Sequence, residues 1–423
     1  MLEDSLAGPA MTGVLLDERR PTPGLTLRRP EGTGETGRAV PAMRIALVGT
    51  RGVPAAYGGF ETAVEEVGRR LVGRGHDVTV YCRGGDVTRQ EFLGMHLVHL
   101  PAVQSRTLET LSHTAASVAH LFVHRRPDVA VVFNAANSPF LPVLKAKGIP
   151  VATHMDGLEW RRAKWGGTGR RYYRLAESLA VRWSDALIAD ARGIQDYYRE
   201  EFGTDTTLIT YGAPLLANPA SHRLAELGLQ PGRFHVLVAR FEPENNVHLA
   251  VEGMLRSTAK HPLVVVGSAP YADQYTARIR ALAGRDDRVR LAGSIYDQEL
   301  LDQLYAHALT YVHGHSVGGT NPSLLRAMGA RTAVLAFDVS FNREVLGADG
   351  RYFSVPQELA GLLAAAEAAP DDVLGRATRL RSRAATLYRW DDVAVKYEQL
   401  CARLVGADPV RQAASGRRLV ASL

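Results

Sequence analysis

The stretch HGHSVGGTNPSLLRAMGA, residues 313–330, holds a dense set of residues able to do chemistry. Gly318 and Gly319 let main-chain N–H groups come close to a ligand, and Asn321 followed by Pro322 is a helix start signal. A helix N-terminus offers unbonded N–H groups and partial positive charge, so the segment suits an anion such as a pyrophosphate. A plain β-to-α turn uses the same residues, and local spacing does not separate the two readings. Arg326, one turn into the helix, adds a cation that the segment itself does not explain.

Three further stretches carry similar choices. Arg240 ends the apolar run FHVLVAR, at the carboxyl edge of a strand where open α/β sheets bind ligands. There it can clamp a phosphate in bidentate fashion or pair with Glu242 or Glu244. GTRGVPAAYGGFE, residues 49–61, enters a helix at Gly58 and Gly59 without forming G-x-G-x-x-G. VTVYCRGG ends in Cys82 and Arg83 where a dinucleotide oxidoreductase would carry an acid for the ribose, so that class is the weaker reading.

In HMDGLEWRRAKWGGTGRRYYR, residues 154–174, Asp156 and Glu159 fall just past a strand end, where both can face a cleft. Capping the turn at Gly157 is the other role open to Asp156. Arg161, Arg162, Lys164, Arg170, Arg171 and Arg174 alternate with Trp160, Trp165, Tyr172 and Tyr173. That mixture suits an anionic membrane surface, or else a solvated basic face with its aromatics packed inward. No nucleic-acid reading motif accompanies it.

The elements that position these residues alternate in kind. From Met43, MRIALVGT, DVTVYC, DVAVVFN, IPVATHM, DALIAD and TTLITYG read as strands separated by amphipathic stretches. YGAPLLANPASH, residues 211–222, interrupts the rhythm as a candidate hinge, and a second series follows from FHVLVAR through TAVLAFD. Two such series predict two parallel, doubly wound α/β sheets facing a deep cleft. YRWDDVAVKYEQLCARLV is an amphipathic last helix expected to cross back onto the first domain.

The expected boundaries are 43–212 for the first domain, with the helix 388–405 returning to it, and 213–387 for the second. Residues 1–42 and 407–423 read as disordered tails, the first with no signal-peptide pattern. A chain of 423 residues with 46% apolar content suits two or three domains, and its net charge of +6 is mild. Cys82 and Cys401 stand far apart, which points away from disulfides and towards a reducing cytosol. No run approaches the roughly 20 apolar residues that span a bilayer.

These motifs resemble the retaining glycosyltransferases of family four (group 1), which have the GT-B double-Rossmann fold. RIALVGTRGVPAAYGGFET, VTVYCR, DGLEWRRAKW, ARFEPENN and HGHSVGGTNPSLL together are similar to a bacterial subgroup linked to surface-polysaccharide and rhamnosyl transfer. The likeness runs from about Met43 to Leu404. It implies a hexosyltransferase-type enzyme with a nucleotide-sugar donor on the second domain and a glycan or lipid-linked acceptor on the first. No metal or cofactor is implied.

Residue by residue, the resemblance assigns leaving-group charge to Arg240 and places Asp156 near the reacting sugar. It collects Gly58, Gly59, Asn245, His315, Gly318, Gly319, Thr320, Asn321 and Arg326 around the donor, with Glu159 and Trp160 on the acceptor side. Two departures stand out. The family's lysine five residues after the arginine is Asn245, and its Glu-x7-Glu acids are Gly318 and Arg326. Arginine cannot accept hydrogen bonds from ribose hydroxyls as the second glutamate does. Arg326 then either supplies charge that Asn245 lacks or marks a donor with fewer ribose hydroxyls, such as a dTDP-sugar. A non-catalytic homologue in a polysaccharide-assembly complex and a nucleotide-sugar epimerase are the competing functions.

Overall fold

The computed structural model describes residues 40–55, 59–84, 87–103, 105, 108–124, 126–155, 157–162, 165–217, 219–268 and 273–406. The two predicted tails, apart from residues 40–42, lie outside that set.

The first series opens with β1 (Arg44–Val48), whose run RIALV is buried at four of five positions, as a strand covered on both faces requires. Helix α1 (Gly59–Gly73) follows, with Ala63, Val64, Val67 and Leu71 turned inward at helical spacing. Then come β2 (Asp77–Arg83), β3 (Glu91–Phe92), β4 (Met95–Leu100), α2 (Glu109–Val123), β5 (Val129–Phe133) and α3 (Leu141–Ala146). The half continues through β6 (Val151–His154), α4 (Gly167–Trp183), β7 (Ala186–Ala189), α5 (Arg192–Phe202) and β8 (Thr207–Leu208). Its eight strands lie in the order β3-β4-β2-β1-β5-β6-β7-β8, all parallel except the β3–β4 pair.

That hairpin has no counterpart in the periodicity reading. Its turn puts Leu93 at φ 50° and Gly94 at φ 78°, so the tight-turn glycine is preceded by a residue that rarely accepts a left-handed conformation.

The second half runs β9 (His235–Val238), α6 (Val247–Arg256), β10 (Leu263–Val266), α7 (Asp273–Ala283), β11 (Val289–Gly293), α8 (Gln298–His307) and β12 (Thr310–His313). It ends with α9 (Pro322–Gly329), β13 (Ala333–Phe337), α10 (Ser340–Leu346), β14 (Arg351–Phe353), α11 (Pro356–Ala368) and α12 (Pro370–Leu387). The six-stranded parallel sheet is ordered β11-β10-β9-β12-β13-β14. Val247, Val251 and Met254 of α6 close its core against Leu263, Val265 and Leu359.

The last helix, α13 (Trp390–Gly406), packs on α1 and reaches β5 and β6 of the first half. Its Glu398 accepts from Arg74 Nη2 at 2.6 Å, and its other oxygen lies 2.8 Å from His76 Nε2. The connector after β8 is fastened on both sides: Ala213 N–H donates to Tyr388 O at 2.7 Å, and Leu216 N–H to Gly329 O at 3.2 Å. The result is the GT-B architecture, two Rossmann-like sheets with loops facing one another.

Candidate active site between the halves

Strand order dictates where the site forms. In the first sheet β1 sits between β2 and β5, and in the second β9 sits between β10 and β12, so the chain direction reverses beside β1 and β9. Loops leaving such strands diverge and open a crevice at the carboxyl edge. The segment from Gly49 leaves β1, ARFEPENN leaves β9, and GHSVGGTN leaves β12.

The two halves meet closely at these loops, at glycines where an added Cβ would collide. A Cβ on Gly59, the first residue of α1, would lie 3.0 Å from Pro322 Cγ at the start of α9. A Cβ on Gly157 would lie 2.6 Å from the Cα of Gly318, and one on Gly319 would collide with the Asp190 carboxyl. Thr320 Oγ1 donates to the main-chain oxygen of Asp190 at 2.6 Å, another tie between halves. Thus two helix N-termini converge across the cleft, where their partial charges add.

The start of α9 is built as its sequence predicts. Asn321 Oδ1 accepts from Ser323 N at 2.9 Å and from Ser323 Oγ at 2.7 Å, while Pro322 takes the first helical position. Asn321 is therefore a capping residue. Leu324, Leu325 and Met328 bury the inner face of α9 and fix its direction.

Arg240 stands at the end of β9 with 43% of its side chain exposed and Nη1 3.5 Å from Glu242 Oε1. Asn245 is buried and gives its Nδ2 to Arg240 O at 2.9 Å, so its amide shapes the loop behind the arginine. His315 stacks on His313 with ring centroids 4.5 Å apart. Burial, then His313 and the cations Arg162 and Arg240, hold its pKa well below the usual value. It therefore enters the cleft as a neutral imidazole at physiological pH.

Arg326 forms an ion pair with Asp302 of α8, and Asp302 also accepts from Gln298 Nε2 at 2.9 Å. The cation that the sequence left unexplained thus has a protein counter-charge on the neighbouring helix.

On the first half, Gly58 and Asp156 lie outside the described residues. Glu159 is buried; Trp165 Nε1 donates to it at 3.3 Å and Arg162 Nε pairs with it. Trp160 has the guanidinium carbons of Arg161 and Arg174 each 5.1 Å from its ring centroid. Trp165 packs on Tyr173 at 5.0 Å, and Tyr172 donates to Ala136 O at 2.7 Å. These rings are engaged within the protein, while Arg161, Arg170 and Arg171 remain exposed.

Arg162, grouped by sequence with that basic face, instead points between the halves, with 13% of its side chain exposed. Its Nη1 lies 3.7 Å from Glu242 Oε2 and 4.0 Å from Glu244 Oε1. Asp190, the Asp302 pairing with Arg326 and the turn of Arg162 towards Glu242 and Glu244 had no local signal, because those partners come from distant parts of the chain. Glu244 was visible only as an alternative counter-ion for Arg240. No group of three or more His, Cys, Asp or Glu among the described residues is arranged to hold a metal ion.

Comparison with known proteins agrees with this geometry. Residues 58–212 match the model of the glycosyl transferase 4-like domain, and residues 233–369 match that of glycosyl transferases group 1. The chain is a glycosyltransferase of the GT-B type. A sucrose-phosphate synthase (tll1590) from Thermosynechococcus elongatus superposes with TM-score 0.74 at 20% identity, covering 86% of this chain and 100% of that one. Anabaena Alr3699/HepE in complex with UDP and glucose gives TM-score 0.70 at 16% identity, covering 85% and 100%. The catalytic domain of starch synthase IV from Arabidopsis thaliana, bound to ADP and acarbose, gives 0.68 at 13%, covering 86% and 100%. No curated protein sequence matches the chain significantly. Among the described residues, no helix is long and apolar enough to cross a membrane.

Proposed function

We propose that this chain transfers a hexose-type sugar, with retention at the anomeric carbon and without a metal ion, from a nucleoside-diphosphate donor to a glycan or lipid-linked acceptor in polysaccharide synthesis. The donor occupies the half spanning 213–387 and the acceptor the half spanning 43–212, which carries the returning helix 388–405. The observation that carries this reading is the meeting of the α1 and α9 N-termini at Gly59 and Pro322, beside the switch points of both sheets. A departing diphosphate gains negative charge as the glycosidic bond breaks, and fixed N–H dipoles with a cation are suited to stabilise it. Arg240 supplies the cation, Gly318 and Gly319 admit the ligand to the main chain, and neutral His315 offers a polar ring. Asp156 contacts the sugar or acceptor, and Glu159 and Trp160 support the acceptor side.

A dTDP-sugar, such as dTDP-rhamnose, fits best. Position 326 carries no acceptor for ribose hydroxyls, and its arginine occupies Asp302, the nearest acid on the adjoining helix. Thermal unfolding with dTDP, UDP, GDP and ADP tests the reading. Saturation at about 100 times Kd stabilises a folded site by roughly 2.7 kcal/mol. A shift largest with dTDP and lost in Arg240→Ala is expected; no shift with any of the four would reject the assignment.

The enzyme works in the cytoplasm, touching the inner face of an anionic membrane through Arg161, Arg170 and Arg171. Co-sedimentation with phosphatidylglycerol vesicles should fall in Arg170→Glu/Arg171→Glu, and equal sedimentation would refute the contact.

A further inference from the structure

The loop after β9 holds a carboxyl group that the protein leaves without a hydrogen bond. Glu244 is 6% exposed, and neither side-chain oxygen has a hydrogen-bond partner among the described residues. Among the described residues, the cation that approaches it is Arg162 Nη1 from the other half, 4.0 Å from Oε1 and beyond hydrogen-bonding range. Arg162 Nε is meanwhile paired with Glu159. A buried acceptor without a donor costs stability, and more when charged. Native proteins rarely leave such a group without a use.

The placement of Glu244 supplies the use. Its main-chain oxygen accepts from Ser316 N at 2.9 Å and Ser316 Oγ at 2.8 Å, which fixes the residue against the loop leading to Gly318. Two positions further on, Asn246 Nδ2 donates to Gly314 O at 2.9 Å, so the β9 and β12 loops form one rigid wall. The backbone of Glu244 is therefore held from behind while its carboxyl faces the opposite half.

We infer that Glu244 is a specificity residue for the transferred sugar, its carboxyl accepting hydrogen bonds from sugar hydroxyls enclosed between the halves. A pair of adjacent hydroxyls matches two carboxyl oxygens that lack a donor. The nucleoside diphosphate, rich in acceptors and negative charge, would gain nothing from the same group. This inference rests on the donor reading above, and it places sugar selection on the β9 loop, apart from the anion site at α9.

The test is calorimetric titration of the full chain and of Glu244→Gln with dTDP, dTDP-glucose, UDP and UDP-glucose. The expected result is a loss of about tenfold or more in affinity for the sugar-bearing ligand, with affinity for its diphosphate unchanged. One hydrogen bond to a charged group is worth roughly that factor. Equal loss for both ligands, or no loss for either, would overturn the inference. If the unaltered chain binds none of the four, the donor reading fails and the inference falls with it.

Glu244→Leu gives a second readout. Removing an unsatisfied buried acceptor should leave unliganded thermal stability unchanged or raised. A clear drop would mean that Glu244 merely holds Arg162, and that outcome also overturns the inference.

Discussion

Gly157 and Gly318 lie so close across the two halves that a single added methyl carbon on Gly157 would sit 2.6 Å from the Cα of Gly318. Backbone meets backbone there, and neither side has a flexible atom to move away. Closure of the cleft therefore depends on the absence of a side chain at position 157. Gly157→Ala should hold the halves apart, and transfer should drop by tenfold or more, since reacting groups lose their alignment on small displacements. Diphosphate binding keeps Arg240 and the α9 N-terminus and loses only the approach of α1, so it should change less than turnover. Steady-state kinetics beside nucleotide titration checks this, and an unchanged turnover would contradict it.

The Arg326–Asp302 pair is partly buried, with side-chain exposures of 22% and 23%. Arg326→Glu would set two carboxyl groups against each other and should cost about 2 kcal/mol, between the values for exposed and fully buried pairs. Adding Asp302→Lys should recover most of the loss. The same single change restores a hydrogen-bond acceptor at position 326, so the preference for dTDP over UDP should narrow. Unfolding curves and paired titrations read both effects. Unchanged stability together with unchanged preference would show that the residue serves neither purpose.

Buried histidines, His113, His154 and His313 among them, destabilise the fold in acid. Burial above all pushes His113 and His154 down to about 4 and His313 to about 3. Below the ordinary histidine value, roughly 6.5, the unfolded chain takes up protons that the folded chain refuses. The stability they contribute is complete above pH 6.5 and is lost as pH falls towards 4. The slope can approach about 4 kcal/mol per pH unit if all three act. Urea unfolding at pH 7.5, 6 and 5 measures it, and a flat profile would contradict the assignment.

Much of the fold was legible because its signals are local. RIALV and LVVV are short apolar runs of the kind doubly covered strands use, and Val64, Val67 and Leu71 declare the inner face of α1. The β3–β4 hairpin escaped because its turn places Leu93 where the sequence rule expects a residue tolerant of positive φ. In the site, Asn321 and Pro322 announced the start of α9, since capping is settled within three residues. Arg326 was visible as an anomaly, but its partner lies 24 positions away on another helix.

By itself the sequence determined the two βα series, the glycine-rich loops at their strand ends and the helix start behind Gly318 and Gly319. Those follow from backbone freedom, side-chain period and capping chemistry, which act between near neighbours. Only the tertiary structure decided which groups face one another. It turned Arg162 inward to Glu242 and Glu244, set Gly157 against Gly318, neutralised Arg326 with Asp302 and left the Glu244 carboxyl without a donor. Such pairings depend on the order of strands in two sheets and on how the sheets approach, and no local stretch of sequence encodes either.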